Sequence, residues 1–157
     1  MTGVQTCALP DLGFTFGWVT TAPPDGTRDR DNALDRRLAG VAQVENTGTQ
    51  YTFQLDLPST GASTVRLALG DAGGGQGYQA VQVLDNATAF ITITDTDGTT
   101  GSEYDDAAGT NRTAAAWPGS NTSVARTFGS TQLKVVLGSA AIQAGSSTLA
   151  HLFVSQP

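Results

Sequence analysis

The sequence predicts an all-β fold, an antiparallel β-sandwich of about nine short strands. Three observations predict it. Apolar residues recur at every second position in one short segment after another, which is the period of a half-buried strand. Clusters of Gly, Asn, Asp, Ser and Pro separate these segments, and the chain holds 19 glycines, as many tight connections require. Helical period is almost absent: Thr, Ser, Ala and Val dominate, and charged residues make up only 14% of the chain.

In chain order, "GFTFGWVT" (13–20) and "LAGVAQVE" (38–45) are the first candidate strands. "TQYTFQLDL" (49–57) is the clearest, with Tyr51, Phe53, Leu55 and Leu57 facing one way and Gln50, Thr52, Gln54 and Asp56 the other. "STVRLALGD" (63–71) repeats the pattern with Val65, Leu67 and Leu69 inward, and the intervening "PSTGA" reads as a hairpin turn. After the Gly-rich "AGGGQG" (72–77), "YQAVQVLD" (78–85) and "TAFITITD" (88–95) form a second expected hairpin around Asn86-Ala87. Residues 96–122 show neither period and read as a long crossover loop with at most a helical turn. "SVARTFG" (123–129), "TQLKVVLG" (131–138) and "STLAHLFVSQ" (147–156) complete the set. Long connections fit crossings between two sheets better than the hairpins of a closed barrel.

The first ten residues stand apart, since Met1 and Cys7 are the single Met and single Cys of the chain. They lack the basic start and apolar run of a secretory signal, and no alternation marks a strand. "MTGVQTCALP" resembles VTGVQTCALP, the translation of a widely used sequencing-adapter oligonucleotide, with an initiating GTG read as Met. That resemblance implies that Met1 to Pro10 is a non-native artefact and that residues 11–157 are one native domain without cysteine, hence without disulfides or thiolate metal sites. The abrupt end after the last strand fits the terminal module of a larger polypeptide or a truncated gene. A net charge of −6 argues against nucleic acid and against an anionic membrane surface. No run approaches the roughly 18 apolar residues of a membrane-spanning helix. Abundant Thr, Ser and Gly with a single Lys fit an extracellular or virion- or cell-surface location, and three Asn-x-Ser/Thr sequons occur, at Asn86, Asn111 and Asn121.

Residues 16–40, "FGWVTTAPPDGTRDRDNALDRRLAG", carry Gly17-Trp18, Arg28-Asp29-Arg30 and Asp35-Arg36-Arg37-Leu38. This succession resembles the opening of galactose-binding-like β-sandwich domains, a carbohydrate-binding-module-like group. Further on, "YTFQLDLPSTGASTVRLALGDAG" is similar to their paired strands ending in Gly-Asp, and "LKVVLGS" with "STLAHLFVSQ" is similar to their final hairpin. The resemblance spans nearly all of 14–156 and implies a jelly-roll type of sandwich and a carbohydrate ligand. Asp31, interposed before Asn32, departs from the pattern of that first loop.

Two readings of this segment stand. Trp18 offers a flat apolar face on which a pyranose stacks, and Arg28 and Arg30 offer planar donor forks to hydroxyls. Alternatively, Arg28, Arg30 and Arg37 pair with Asp29, Asp31 and Asp35 to pin a loop, and Trp18 is core. Better placed for sugar stacking are the loop aromatics Tyr104, Trp117 and Tyr78, since sandwich ligands are often met by loops at one end; against this, Trp117 beside Pro118 would also cap the core. Asp95, Asp97, Glu103, Asp105 and Asp106 lie close together in the chain, and clustered carboxylates suit Ca²⁺, although the spacing is not that of an EF-hand. His151, the only histidine, sits within the apolar "LAHLFV", where a packed residue is the simpler reading than a general base.

The expectation is therefore a non-catalytic, lectin-like module whose partner is a glycan or polysaccharide. A structural module of a fibre or virion appendage, assembling as a homo-oligomer through sheet edges or apolar patches, is the rival class. A small hydrolase built on His151 is the third.

Overall fold

Alternation with a period of two folds the chain into two stacked antiparallel layers. The computed structural model describes residues 7–8, 15–19, 24, 26–29, 38, 40–75, 78–96, 103–138 and 145–157. One layer is a six-stranded sheet, in spatial order β1 (Cys7–Ala8), β2 (Thr15–Trp18), β5 (Tyr51–Asp56), β12 (Gln132–Leu137), β7 (Gln79–Asp85) and β8 (Thr88–Asp95). β12 is its spine. Leu133, Val135 and Leu137 stand opposite Leu55, Phe53 and Tyr51 of β5, and Val135 and Leu137 also opposite Val83 and Val81 of β7. All three inward residues of β12 are fully buried, and each such side chain contributes about 1.5–3 kcal/mol.

The facing layer has two parts. β3 (Gly26–Asp29), β4 (Gly40–Glu45) and β13 (Ser146–Leu149) form one, in the order β13-β4-β3; β6 (Gly61–Ala68), β11 (Val124–Phe128) and β14 (His151–Ser155) form the other, in the order β11-β6-β14. β13 and β14 are a single run broken at Ala150. Before the break it pairs with β4 and after it with β6, so this run joins the two parts. Val44, Val65, Leu67 and Phe128 from this layer meet Tyr51, Val81, Val83, Ile91, Ile93 and the β12 residues in one continuous core.

Of the two hairpins expected from alternation, only the second forms. β7 and β8 turn at Asn86-Ala87, with Asn86 at φ 53, a left-handed conformation that Asn tolerates better than most residues. The register slips by one residue between Val83 and Leu84, where Phe90 is extra, and Phe90 packs edge-on against Phe128 with centroids 5.4 Å apart. β5 and β6 do not pair. β5 lies between β2 and β12, while β6 lies between β11 and β14, so "PSTGA" carries the chain from one layer to the other. Alternation identifies a strand's inward face but not its layer, and two strands facing each other across a core share the pattern of hairpin neighbours. For the same reason the expected final hairpin is absent: β12 is central in the six-stranded sheet, and the last run belongs to the facing layer.

Three further differences concern short elements. β3 pairs with β4 inside the motif-bearing segment, with Arg28 opposite Val41. Cys7 and Ala8 pair with Phe16 and Thr15 although the sequence there has no alternation. The expected crossover loop contains an antiparallel hairpin, β9 (Glu103–Asp105) with β10 (Asn111–Thr113), and one helical turn, α1 (Trp117–Ser120). Leu69 and Asp105 exchange backbone hydrogen bonds at 3.0 and 2.8 Å, docking this hairpin beyond the end of β6. Gly70 makes the approach possible, since a Cβ there would lie 2.7 Å from the Glu103 carbonyl oxygen. A second small core forms beneath, from Leu38, Ala68, Tyr104, Ala114 and Trp117. Among the described residues no helix is long and apolar enough to cross a membrane.

Candidate functional site

The outer face of the six-stranded sheet is its polar face. On β7, Val81 and Val83 enter the core, so Ala80 and Gln82 face outward; on β8, Ile91 and Ile93 enter the core, so Thr92 and Thr94 face outward. Pairing sets Gln82 opposite Thr92 and Ala80 opposite Thr94. Together with Gln50 and Gly138 these residues line a shallow cleft of about 280 Å³. Ala80, the smallest side chain in the row, leaves the floor open. The Gly138 N–H donates to the Ala80 carbonyl at 3.0 Å and closes one end. Gly138 has φ +86, and a Cβ there would meet the Thr49 carbonyl oxygen at 2.6 Å.

Behind the cleft, β7 is tied to the facing layer by side chains. Gln79 Nε2 donates to Thr148 Oγ1 at 2.8 Å, and the Thr148 N–H donates to Gln79 Oε1 at 2.9 Å. Both residues are fully buried, and neither leaves its amide or hydroxyl without a partner there.

The expected aromatic sites divide. Tyr78 lies immediately before β7, two residues from Ala80, and is half-buried; it is not among the residues that line the cleft. Trp117 and Tyr104 are corrected: they are 1% and 0% exposed, and a sugar ring stacks only on an aromatic face that reaches solvent. Trp117 is an anchor of the second core. Its Nε1 donates to the Leu67 carbonyl at 3.0 Å, and His151 packs edge-on against it at 5.1 Å. Trp18 is half-buried and packs edge-on against Phe53 at 5.5 Å on the core side of β2, in keeping with the core reading of that residue. Arg28 is placed in β3; Arg30 and residues 31–37 lie outside the described residues.

The acidic residues do not act as one set. Asp106 Oδ1 accepts from the N–H groups of Ala108 and Thr110, and its Oδ2 from Arg112 and the Thr122 N–H, so this carboxylate braces its own loop. Its pKa is lowered because these backbone donors outweigh its desolvation. Asp105 is the opposite case. It is 1% exposed, and neither oxygen accepts a hydrogen bond from an N–H or hydroxyl group. Burial first, then the neighbouring Asp95, Asp106 and Glu103 carboxylates, push its pKa up to about 7, and a proton on Asp105 would be shared with Asp95. Among the described residues no group of three or more His, Cys, Asp or Glu is arranged to hold a metal ion, and Asp97 lies outside them.

The cleft residues Gln50, Gln82, Thr92 and Thr94 are not among the expected site residues. Their one signal is composition: the wet faces of these strands carry amides and hydroxyls where a purely solvated face more often carries Lys and Glu.

No family model matches the sequence, and no curated protein matches it. Solved structures do. The chain is similar to a family 35 carbohydrate binding module from an environmental isolate, at 17% identity and a TM-score of 0.46, covering 99% of this chain and 89% of that one. It is also similar to Xyl-CBM35 in complex with a glucuronic acid containing disaccharide, at 21% identity and a TM-score of 0.46, covering 86% of each chain. CBM35 from Cellvibrio japonicus Abf62 matches at 22% identity with the same TM-score of 0.46 and 86% of each chain covered. These three neighbours are carbohydrate-binding modules. At such identities and TM-scores they assign no ligand to this chain.

Proposed function

We propose that the protein is a non-catalytic, lectin-like carbohydrate-binding module of a secreted, cell-surface or phage-appendage protein, and that it takes a neutral glycan or polysaccharide into the cleft on the six-stranded sheet. The observation that carries the proposal is the convergence of two amides, Gln50 and Gln82, with two hydroxyls, Thr92 and Thr94, on one shallow depression. Sugar hydroxyls donate and accept at once, and amide and hydroxyl side chains do the same. Tyr78, half-buried and immediately before β7, is the aromatic side chain we assign to the apolar side of a ring. Among the described residues none that lines the cleft is ionisable, and the chain carries a net charge of −6, which favours a neutral over an anionic glycan.

A glycan array probed with the full chain, alongside Gln82→Ala and Tyr78→Ala, tests the proposal. Neutral oligosaccharides are expected to bind, with affinity lowered about tenfold by either substitution. A folded protein that captures no glycan would overturn it.

One observation favours assembly as a second reading. Phe16, Leu55, Leu57, Leu152 and Phe153 line an open groove of about 510 Å³, and Phe153 is 45% exposed. The groove suits a sugar poorly, because Gln156, the one side-chain amide there, already donates to the Ser59 carbonyl and to Ser63 Oγ. Sedimentation of wild type and Phe153→Asp distinguishes the readings: an oligomer that dissociates in the variant would support assembly.

A further inference from the structure

Tyr78 lies one residue beyond the β7–β8 ladder, whose last pair is Gln79 with Asp95. It also follows a run containing Gly73, Gly74, Gly75 and Gly77, a backbone with more freedom to lose than any other composition. An aromatic ring binds well only if something fixes its backbone. That something is in the facing layer. Asn46, just after β4 and 2% exposed, donates from Nδ2 to the Tyr78 carbonyl at 2.8 Å. Its Oδ1 accepts from the Ser147 hydroxyl at 2.8 Å, and the same Ser147 oxygen accepts from the Ala80 N–H at 2.9 Å. One amide and one hydroxyl thus hold the backbone on both sides of Gln79. The orientation of the Asn46 amide is fixed by chemistry, since a carbonyl only accepts and so must face the NH₂ group.

From this geometry we infer that Asn46, with Ser147, is a positioning residue for the glycan cleft: it fixes the Tyr78 carbonyl and thereby the backbone that carries the Tyr78 ring and leads into Ala80 and Gln82. The inference rests on the carbohydrate-binding reading above. Asn46 itself touches no ligand and acts through Tyr78.

Asn46→Asp keeps the shape and the acceptor but replaces the donor with an oxygen facing the Tyr78 carbonyl. Combined with Tyr78→Ala in a double-mutant cycle on the full chain, it is read by titration with the best neutral oligosaccharide from the array and by amide hydrogen exchange. Expected is an affinity loss of about tenfold for Asn46→Asp that vanishes in the Tyr78→Ala background, with faster exchange at Ala80 and none at Leu133 or Val135. Equal losses in both backgrounds, or no loss while wild type binds, would overturn the positioning role. So would unchanged exchange at Ala80, whether or not any glycan binds; faster exchange in a chain that binds no glycan would instead locate the failure in the carbohydrate reading, and the positioning role would fall with it. Should Asn46→Asp not fold, Ser147→Ala takes its place in the same cycle, where loss confined to the Tyr78 background supports the role and equal loss in both overturns it.

Discussion

Gln79 and Thr148, from opposite layers of the sandwich, exchange two hydrogen bonds, from Gln79 Nε2 to Thr148 Oγ1 at 2.8 Å and from the Thr148 N–H to Gln79 Oε1 at 2.9 Å. A side-chain amide here does what a neighbouring backbone would do in a ladder. Gln79→Leu keeps the volume but strands a buried N–H and a buried hydroxyl, so it is expected to cost about 2–4 kcal/mol in urea unfolding. Loss below about 0.5 kcal/mol would show that water or another group replaces the amide.

Gly138 marks where backbone geometry and the cleft meet. With φ +86 and a Cβ that would fall 2.6 Å from the Thr49 carbonyl oxygen, Gly138→Ala must shift either β12's exit or the segment before β5. The expected cost is about 2–4 kcal/mol, together with weaker glycan binding, because the wall formed by Gly138 and Gln50 moves. Denaturant unfolding and titration of the same variant check both halves.

Asp105 makes the stability depend on pH. Its carboxyl ionises near 3.8 when unfolded and near 7 when folded. Between those values the unfolded chain releases a proton that the folded chain keeps, so stability falls as pH rises from about 4 to about 7 and then levels off. Asp105→Asn removes this contribution. The melting temperature of the variant relative to wild type is expected to rise across that window and reach a plateau above it; a difference independent of pH would contradict the burial of this carboxyl.

Trp117 separates core from site. Trp117→Phe removes the hydrogen bond to the Leu67 carbonyl and leaves a small cavity, so stability is expected to drop by about 2–4 kcal/mol. Glycan affinity, measured well below the melting temperature, is expected to stay unchanged. Lost affinity with intact folding would restore Trp117 as a sugar platform.

Much of this fold is legible in the chain. Leu133, Val135 and Leu137 recur at every second position, and they are the buried spine; the Asn86-Ala87 turn forms where its residues place it. What alternation omits is the partner of each strand. "YTFQLDL" and "STVRLALGD" read as neighbours and lie in opposite layers because period two encodes a face, not an address. Tyr104 and Trp117 read as loop residues because β9, β10 and α1 are each too short to display a period, although their packing under Leu38 and Ala68 buries them fully. The cleft is half visible: Gln50 belongs to a wet face in the sequence, but the depression exists only because the ladder sets Gln82 beside Thr92, a register written in neither strand alone. Asp106 reads as a metal ligand because loop donors distant in sequence, among them the Thr122 N–H, are invisible until the hairpin is folded.

The most direct test of the central claim is calorimetric titration of a neutral oligosaccharide into wild type, a Gln82→Ala, Thr92→Ala double variant and Phe153→Ala. Binding that disappears in the double variant and persists in Phe153→Ala is the predicted result, since Gln82 and Thr92 line the polar cleft and Phe153 the apolar groove. Binding that survives the double variant and is lost with Phe153 would contradict it and move the ligand to the groove.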